Sequence, residues 1–437
     1  MTEAPLERIL REQDFLEPLG LRATSLERIS RSLLEDPESG EGWLRRHYHR
    51  LLSEAGALES FLDDYGARYN RTYHFLTELV ASLRGLAHSG FGIQHLLSRF
   101  DGYGVEVALD PAHYEELRGD LEQARAFFRS ALLELLGALL EELEELGCTL
   151  CGVAAPAESY DRPDPLLRLP RNLGEEDPVG EEQRIAEVAT KYKEACGMLE
   201  DLGIKRLGDP VRREEYLAAH FSEERSRVYE ATVHNLQSAY DTFIKNTVIE
   251  SRDARLPRLR GHISVALHLL EVATELIHFV ERHEAEERTR DAARRLSALV
   301  SREDVRQLTL DVLLYWAGRV LTSAEPLATE LLPAYMDLSE LQVELEGDIV
   351  LHARPASLIV GIVNHHGTAV EMEVEGATCN AGSILELMMT VGTHPEARSF
   401  VFRGDAQPLR DIQLLFENGV GERGLDALPE ELDYLRH

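Results

Sequence analysis

From the N-terminus to about Pro333, apolar side chains recur at three- and four-residue spacing, as in Leu26, Ile29, Leu33 and Leu34. That period gathers them on one helix face, whereas strands would need alternation, so the pattern predicts a multi-helix body. Segments such as 54–84 and 114–146 read as antiparallel helices of a bundle spanning 1–151. Residues 152–180 then carry Pro156, Pro163, Pro165, Pro170 and Pro178. Neither a helix nor a central strand tolerates that density, so this part reads as a linker or surface excursion. Helical periodicity resumes over a second region, 181–335.

Beyond Pro333 the texture changes. Residues 341–351 (LQVELEGDIVL), 369–374 (AVEMEV) and 398–403 (RSFVFR) alternate as strands do, with helical stretches between them. A mixed α+β domain, 341–422, is expected to follow the all-α body, and 423–437 reads as a C-terminal tail. The chain as a whole is expected to be mainly α.

The formal charge of -32 argues against nucleic acid or anionic lipid as a partner, because phosphates are neutralised by Lys and Arg patches. The nearest basic stretch, 252–260, is a short connector. The acidic, amphipathic start lacks a secretory pattern. The run 131–140 (ALLELLGALL) is interrupted by Glu134 and too short to cross a bilayer. A cytoplasmic location without membrane insertion is expected. Four cysteines give no disulfide framework.

The most chemically suggestive stretch is LHARPAS, 351–357. Pro355 is acceptable only in the first turn of a helix, which fixes the helix start near His352 or Ala353. A histidine there lies beside unpaired N–H groups and the positive end of the helix dipole, a place that suits a phosphoryl group. Imidazole is nucleophilic near neutral pH, and Arg354 can offset phosphoryl charge. The same residues also read as a plain helix cap with a solvated arginine.

LHARPAS, then CNAGSILELMMTVG (379–392) and FRGDAQPLRDIQLLFENGVGE (402–422), together resemble the histidine-containing phosphocarrier protein, HPr, of the bacterial phosphoenolpyruvate-dependent phosphotransferase system. The resemblance covers about 341–422 and implies an open-faced β-sandwich of order β-α-β-β-α-β-α. It implies that His352 takes a phosphoryl group from enzyme I and passes it to an enzyme IIA-type or regulatory acceptor, with Arg354 as charge partner. It also implies regulatory phosphorylation of Ser383 by an HPr kinase, and docking of partners on Leu385 and Met388. Ile384, Leu387 and Met389 of the same helix read as plain core residues instead. Ser383 and Glu386 equally read as a capping box. Val350 stands where the family commonly has glycine.

Three other groupings invite chemistry. Cys148 and Cys151 form a CxxC without the further ligands that a structural zinc needs. His268, Glu271, Glu275 and His278 share a helix, but on the side away from its apolar face. His47, His49, His74, His88 and His95 lack matched spacing. No metal or cofactor is expected. The expected function is a phosphocarrier that relays the group or signals through the helical body, rather than a stand-alone enzyme; the alternative is a non-transferring docking module in a helical scaffold. The acidic helices of the body also suit pairing with a second copy.

Overall fold

The computed structural model describes residues 9–35, 43–155, 181–284, 290–345, 347, 349–422 and 424–436. The proline-dense stretch falls almost entirely outside the described residues. Helices α1 to α4 are Glu12–Glu35, Arg45–Asp64, His74–Leu97 and Pro111–Glu145. Helices α5 to α9 are Glu181–Asp201, Pro210–His220, Glu223–Phe243, Val248–Arg252 and Arg255–Glu284. Then come α10, Arg290–Leu299, and α11, Arg302–Gln307, followed by a π-helical stretch, Leu308–Leu314, and by α12, Tyr315–Ser323, and α13, Glu325–Tyr335.

The chain divides into two compact units. The first takes Met1–Pro170, Leu199–His234 and Gly261–Leu321; the second takes Arg171–Met198, Asn235–Arg260 and Thr322–His437. The expected second helical region, 181–335, is thus distributed over both units rather than standing as one.

In the first unit, α4 shows why the local sequence folds as it does. Asp110 caps it by accepting from the N–H groups of Ala112 at 3.0 Å and His113 at 3.1 Å, with Pro111 at the first helical position. Leu117, Leu121, Ala124, Phe128, Leu132, Leu135 and Leu139 then form its buried stripe, in contact with α1 and α3. Residues 54–84 are not one helix: Gly66 takes a left-handed φ of 66°, and the Asn70 side chain accepts from the N–H groups of Thr72 and Tyr73 just before α3 begins. Among the described residues one segment, Arg255–Glu281, is long and apolar enough to cross a membrane; 78% of its apolar window is buried in the protein, so packing accounts for its composition.

The second unit carries the sheet. Strands β1, Leu338–Glu344; β2, Val370–Val374; β3, Ala377–Asn380; and β4, Ser399–Asp405, pair antiparallel in the order β1-β4-β2-β3. The strand read at 341–351 ends earlier than expected, at Glu344. A two-residue turn with positive φ at Glu375 and Gly376 joins β2 to β3, the geometry that follows the native strand twist. Helices α14, Ala353–His366; α15, Ile384–Thr393; and α16, Ala406–Glu417, complete the unit.

Alternation along the strands builds the core. Phe400, Phe402, Val370 and Met372 face Ile359 and Ile362 of α14, Leu387 of α15 and Ile412 of α16. On the opposite face Arg403 pairs with Glu340 at 2.8 Å and Glu373 at 2.5 Å, leaving that side solvated, so this is the open-faced α+β arrangement that the resemblance implies. The C-terminal residues are no loose tail, because Leu428 and Leu432 are buried in the same core. At the far end of α14, Gly367 has a φ of 66°, and a Cβ there would stand 2.7 Å from Cγ of Glu187 in α5, so this helical segment of the unit packs directly on the sheet domain.

Candidate functional site

His352 is the residue immediately before α14, with extended backbone at φ -106° and ψ -171°. Its carbonyl accepts the first helical bond, from the Ala356 N–H at 3.0 Å. Its Nδ1 accepts from the Arg354 N–H at 3.3 Å. A nitrogen that accepts from an amide keeps its lone pair on that side, so in the neutral ring the proton sits on Nε2. There it meets Glu422, whose Oε1 lies 2.9 Å away. The His352 side chain is 48% exposed, so the ring is fixed at both nitrogens yet open to a partner.

Glu422 is aimed by a strained turn. Gly419, Val420 and Gly421 all have positive φ, at 68°, 46° and 77°. A β-branched residue rarely adopts that region, and Val420 holds it while only 1% exposed in the core. Gly421 must lack a Cβ, which would stand 2.5 Å from Cδ1 of Leu358.

Arg354 is exposed two residues beyond His352, and among the described residues its guanidinium has no hydrogen-bonded or ionic partner. Pro355 occupies the third helical position, where no intrahelical N–H bond is lost. Ser357 donates its hydroxyl to the Arg354 carbonyl at 2.7 Å.

Ser383 caps α15, its hydroxyl accepting from the Glu386 N–H at 3.4 Å. Only half of the expected capping box forms. The Glu386 carboxylate accepts from the Asn380 N–H at 3.1 Å instead of from Ser383 itself, drawing the β3 end into the cap. The apolar surface of α15 also differs from expectation. Ile384, Leu385 and Met389 are exposed at 43%, 68% and 64%, whereas Met388 is half-buried against the core and Leu387 is buried.

The remaining groupings resolve into pairs. Cys148 and Cys151 are unbridged, and burial pushes the Cys148 thiol up to about 11. His268 meets Glu271 at 2.9 Å, His88 meets Glu275 at 3.3 Å, and His278 meets Glu223 at 2.7 Å. Among the described residues no group of three or more His, Cys, Asp or Glu side chains is arranged to hold a metal ion. His95 packs edge-on against His268, and burial, followed by the charge of His268, lowers its pKa to about 4.

The local sequence motifs single out neither Glu422 nor the segment 425–436. The contact between His352 and Glu422 spans most of the domain, so no local pattern announces it. For the C-terminal segment a signal did exist, because Leu425, Leu428, Leu432 and Leu435 recur at three- and four-residue spacing.

A family model described as PTS HPr component phosphorylation site matches residues 340–396, which include His352, Arg354 and Ser383. That C-terminal region is HPr-like, and the helical body has no family match. No curated protein and no solved structure matches the chain.

Proposed function

We propose that this chain, whose C-terminal region is of the HPr type, carries a phosphoryl group on Nδ1 of His352. The observation that supports this reading best is the half-exposed ring whose Nδ1 lone pair faces the start of α14 while its Nε2 is held by Glu422. The Nδ1 lone pair attacks phosphorus of the donor, an N–P bond forms, and the bond from phosphorus to the donor's leaving group breaks with its electron pair going to that group. Positive charge then develops on the ring, whose Nε2 proton lies against the Glu422 carboxylate. Arg354 supplies a guanidinium for the phosphoryl oxygens. Reversal of the same step hands the group to an acceptor.

Phosphotransferase partners of the enzyme I and enzyme IIA type fit this chemistry. Ile384, Leu385 and Met389 offer an apolar patch for docking, and phosphorylation of Ser383 would place charge beside it. Incubation with enzyme I, phosphoenolpyruvate and Mg²⁺ tests the reading. Acid-labile phosphate should appear on the wild-type chain and be absent from His352→Ala. No label on the wild type, with an active carrier labelled in parallel, would instead leave the domain as a docking module.

A further inference from the structure

A cavity of about 680 Å³ opens along α14, and Arg354, two residues beyond His352, is part of its lining. One wall is a single face of α14, where Arg354, Ser357, Asn364 and His365 follow one another, and the other is the C-terminal segment with Tyr434 and Leu435. The segment is firmly placed. The Tyr434 ring stacks on His365 with centroids 3.7 Å apart, its hydroxyl donates to Asp411 at 2.5 Å, and Asp411 also pairs with His366 at 2.8 Å. Gly361 lets the segment approach α14 closely, since a Cβ there would stand 2.9 Å from Cδ2 of Leu435. The volume is that of a small-molecule site, and its lining combines an aromatic and aliphatic end with polar groups.

The cation decides the ligand class. Arg354 lines the cavity, and among the described residues no carboxylate answers it in a chain of formal charge -32. We propose that this cavity binds a small organic anion, its negative group on the Arg354 guanidinium and its apolar part against Tyr434 and Leu435. The bound anion and a phosphoryl group on His352 then compete for one guanidinium, so occupancy slows phosphorylation. This second half rests on the carrier reading of His352; the binding half does not. The reciprocal effect is obligatory, with phosphorylation weakening the anion by the factor by which the anion weakens phosphorylation.

Phenyl phosphate, which joins an anionic head to an apolar ring, is a suitable probe. Titrated calorimetrically into the full, unphosphorylated chain it should bind, and neutral benzyl alcohol should bind at least about tenfold more weakly, a difference of one charge-assisted contact. Arg354→Gln and the cavity-filling Ser357→Trp should each weaken phenyl phosphate at least about tenfold. Both positions are exposed, and thermal melts followed by circular dichroism verify folding. Phosphoramidate, a small donor needing no protein partner, should label the wild type but not His352→Ala. Saturating phenyl phosphate should slow wild-type labelling at least about fivefold, because it withholds the guanidinium from the phosphoryl oxygens in transfer. Absence of binding up to roughly 10 mM, or binding indifferent to both variants, overturns the inference. Labelling that phenyl phosphate leaves unchanged overturns the competition, whereas a wild type that takes no label at all, yet binds phenyl phosphate, overturns the carrier reading instead.

Discussion

Nε2 of His352 lies 2.9 Å from Oε1 of Glu422, so the imidazole is gripped by a carboxylate on one nitrogen and by the Arg354 N–H on the other. Removing that grip frees the ring to turn and leaves its developing charge unmatched. Glu422→Ala should slow phosphorylation of His352 by about threefold to tenfold, because a half-exposed charge pair contributes about 1 kcal/mol and each 1.36 kcal/mol is tenfold in rate. Single-turnover labelling under saturating donor measures it. An unchanged rate would show that the carboxylate is a bystander.

Arg354 should matter more. Its guanidinium is the cation best placed for phosphoryl oxygens as charge shifts, and deleting one such donor costs about a hundredfold in comparable sites. Arg354→Ala should therefore slow labelling by about that factor, with Arg354→Lys recovering part of it as a point charge without the planar fork. The same single-turnover assay separates the two.

Leu432 is fully buried although it stands only five positions before His437. Leu432→Ala should destabilise the second unit by about 2–4 kcal/mol through lost contacts and a residual cavity. Urea unfolding of the full chain, followed by near-ultraviolet circular dichroism, reads the shift. A midpoint matching wild type would mean that the segment lifts away in solution.

Glu27 in α1 is buried and accepts from the N–H groups of Cys151 and Gly152, each at 2.8 Å, while pairing with Arg31 at 2.9 Å. Burial pushes its carboxyl pKa up, but the bonds from Arg31 and the two backbone groups outweigh that and hold it below the usual range. A depressed carboxyl stabilises the fold fully above its unfolded pKa of about 4.3, and that contribution is lost as pH falls through the folded value. Glu27→Ala, which strands two backbone donors, should cost about 2–4 kcal/mol at neutral pH. Its deficit relative to wild type should narrow below about pH 4, as seen by calorimetric melts across that range.

Gly261 lies against the Tyr103 carbonyl so closely that a Cβ cannot be accommodated without moving backbone. Gly261→Ala should destabilise the first unit by about 3 kcal/mol, despite the better helix propensity of alanine. Comparison with Gly137→Ala in α4, where nothing lies within 4 Å, isolates the clash from propensity.

What the sequence disclosed followed range. The cap at His352, the helix after it and the alternation of Phe400 and Phe402 are local consequences of spacing and of Pro355, and they stand where the spacing puts them. The short strand at Ala377–Asn380 has too few residues for alternation to speak, and it enters the architecture only through pairing with β2. Exposure of Ile384 and Met389 depends on where α15 touches the sheet, which periodicity alone does not fix. Glu422 needed the turn at Val420 to be seen, a conformation that valine does not advertise.

The strand order sets a rule for excising this domain. The family match ends at residue 396, three residues short of β4, yet β4 is the strand that separates β1 from β2. A recombinant fragment cut there would leave β1 without any neighbour to bond to, and a fragment stopped at 422 would bare the greasy pocket that Leu428 and Leu432 plug. Boundaries drawn from before Leu338 through Arg436 keep all four strands together with that plug.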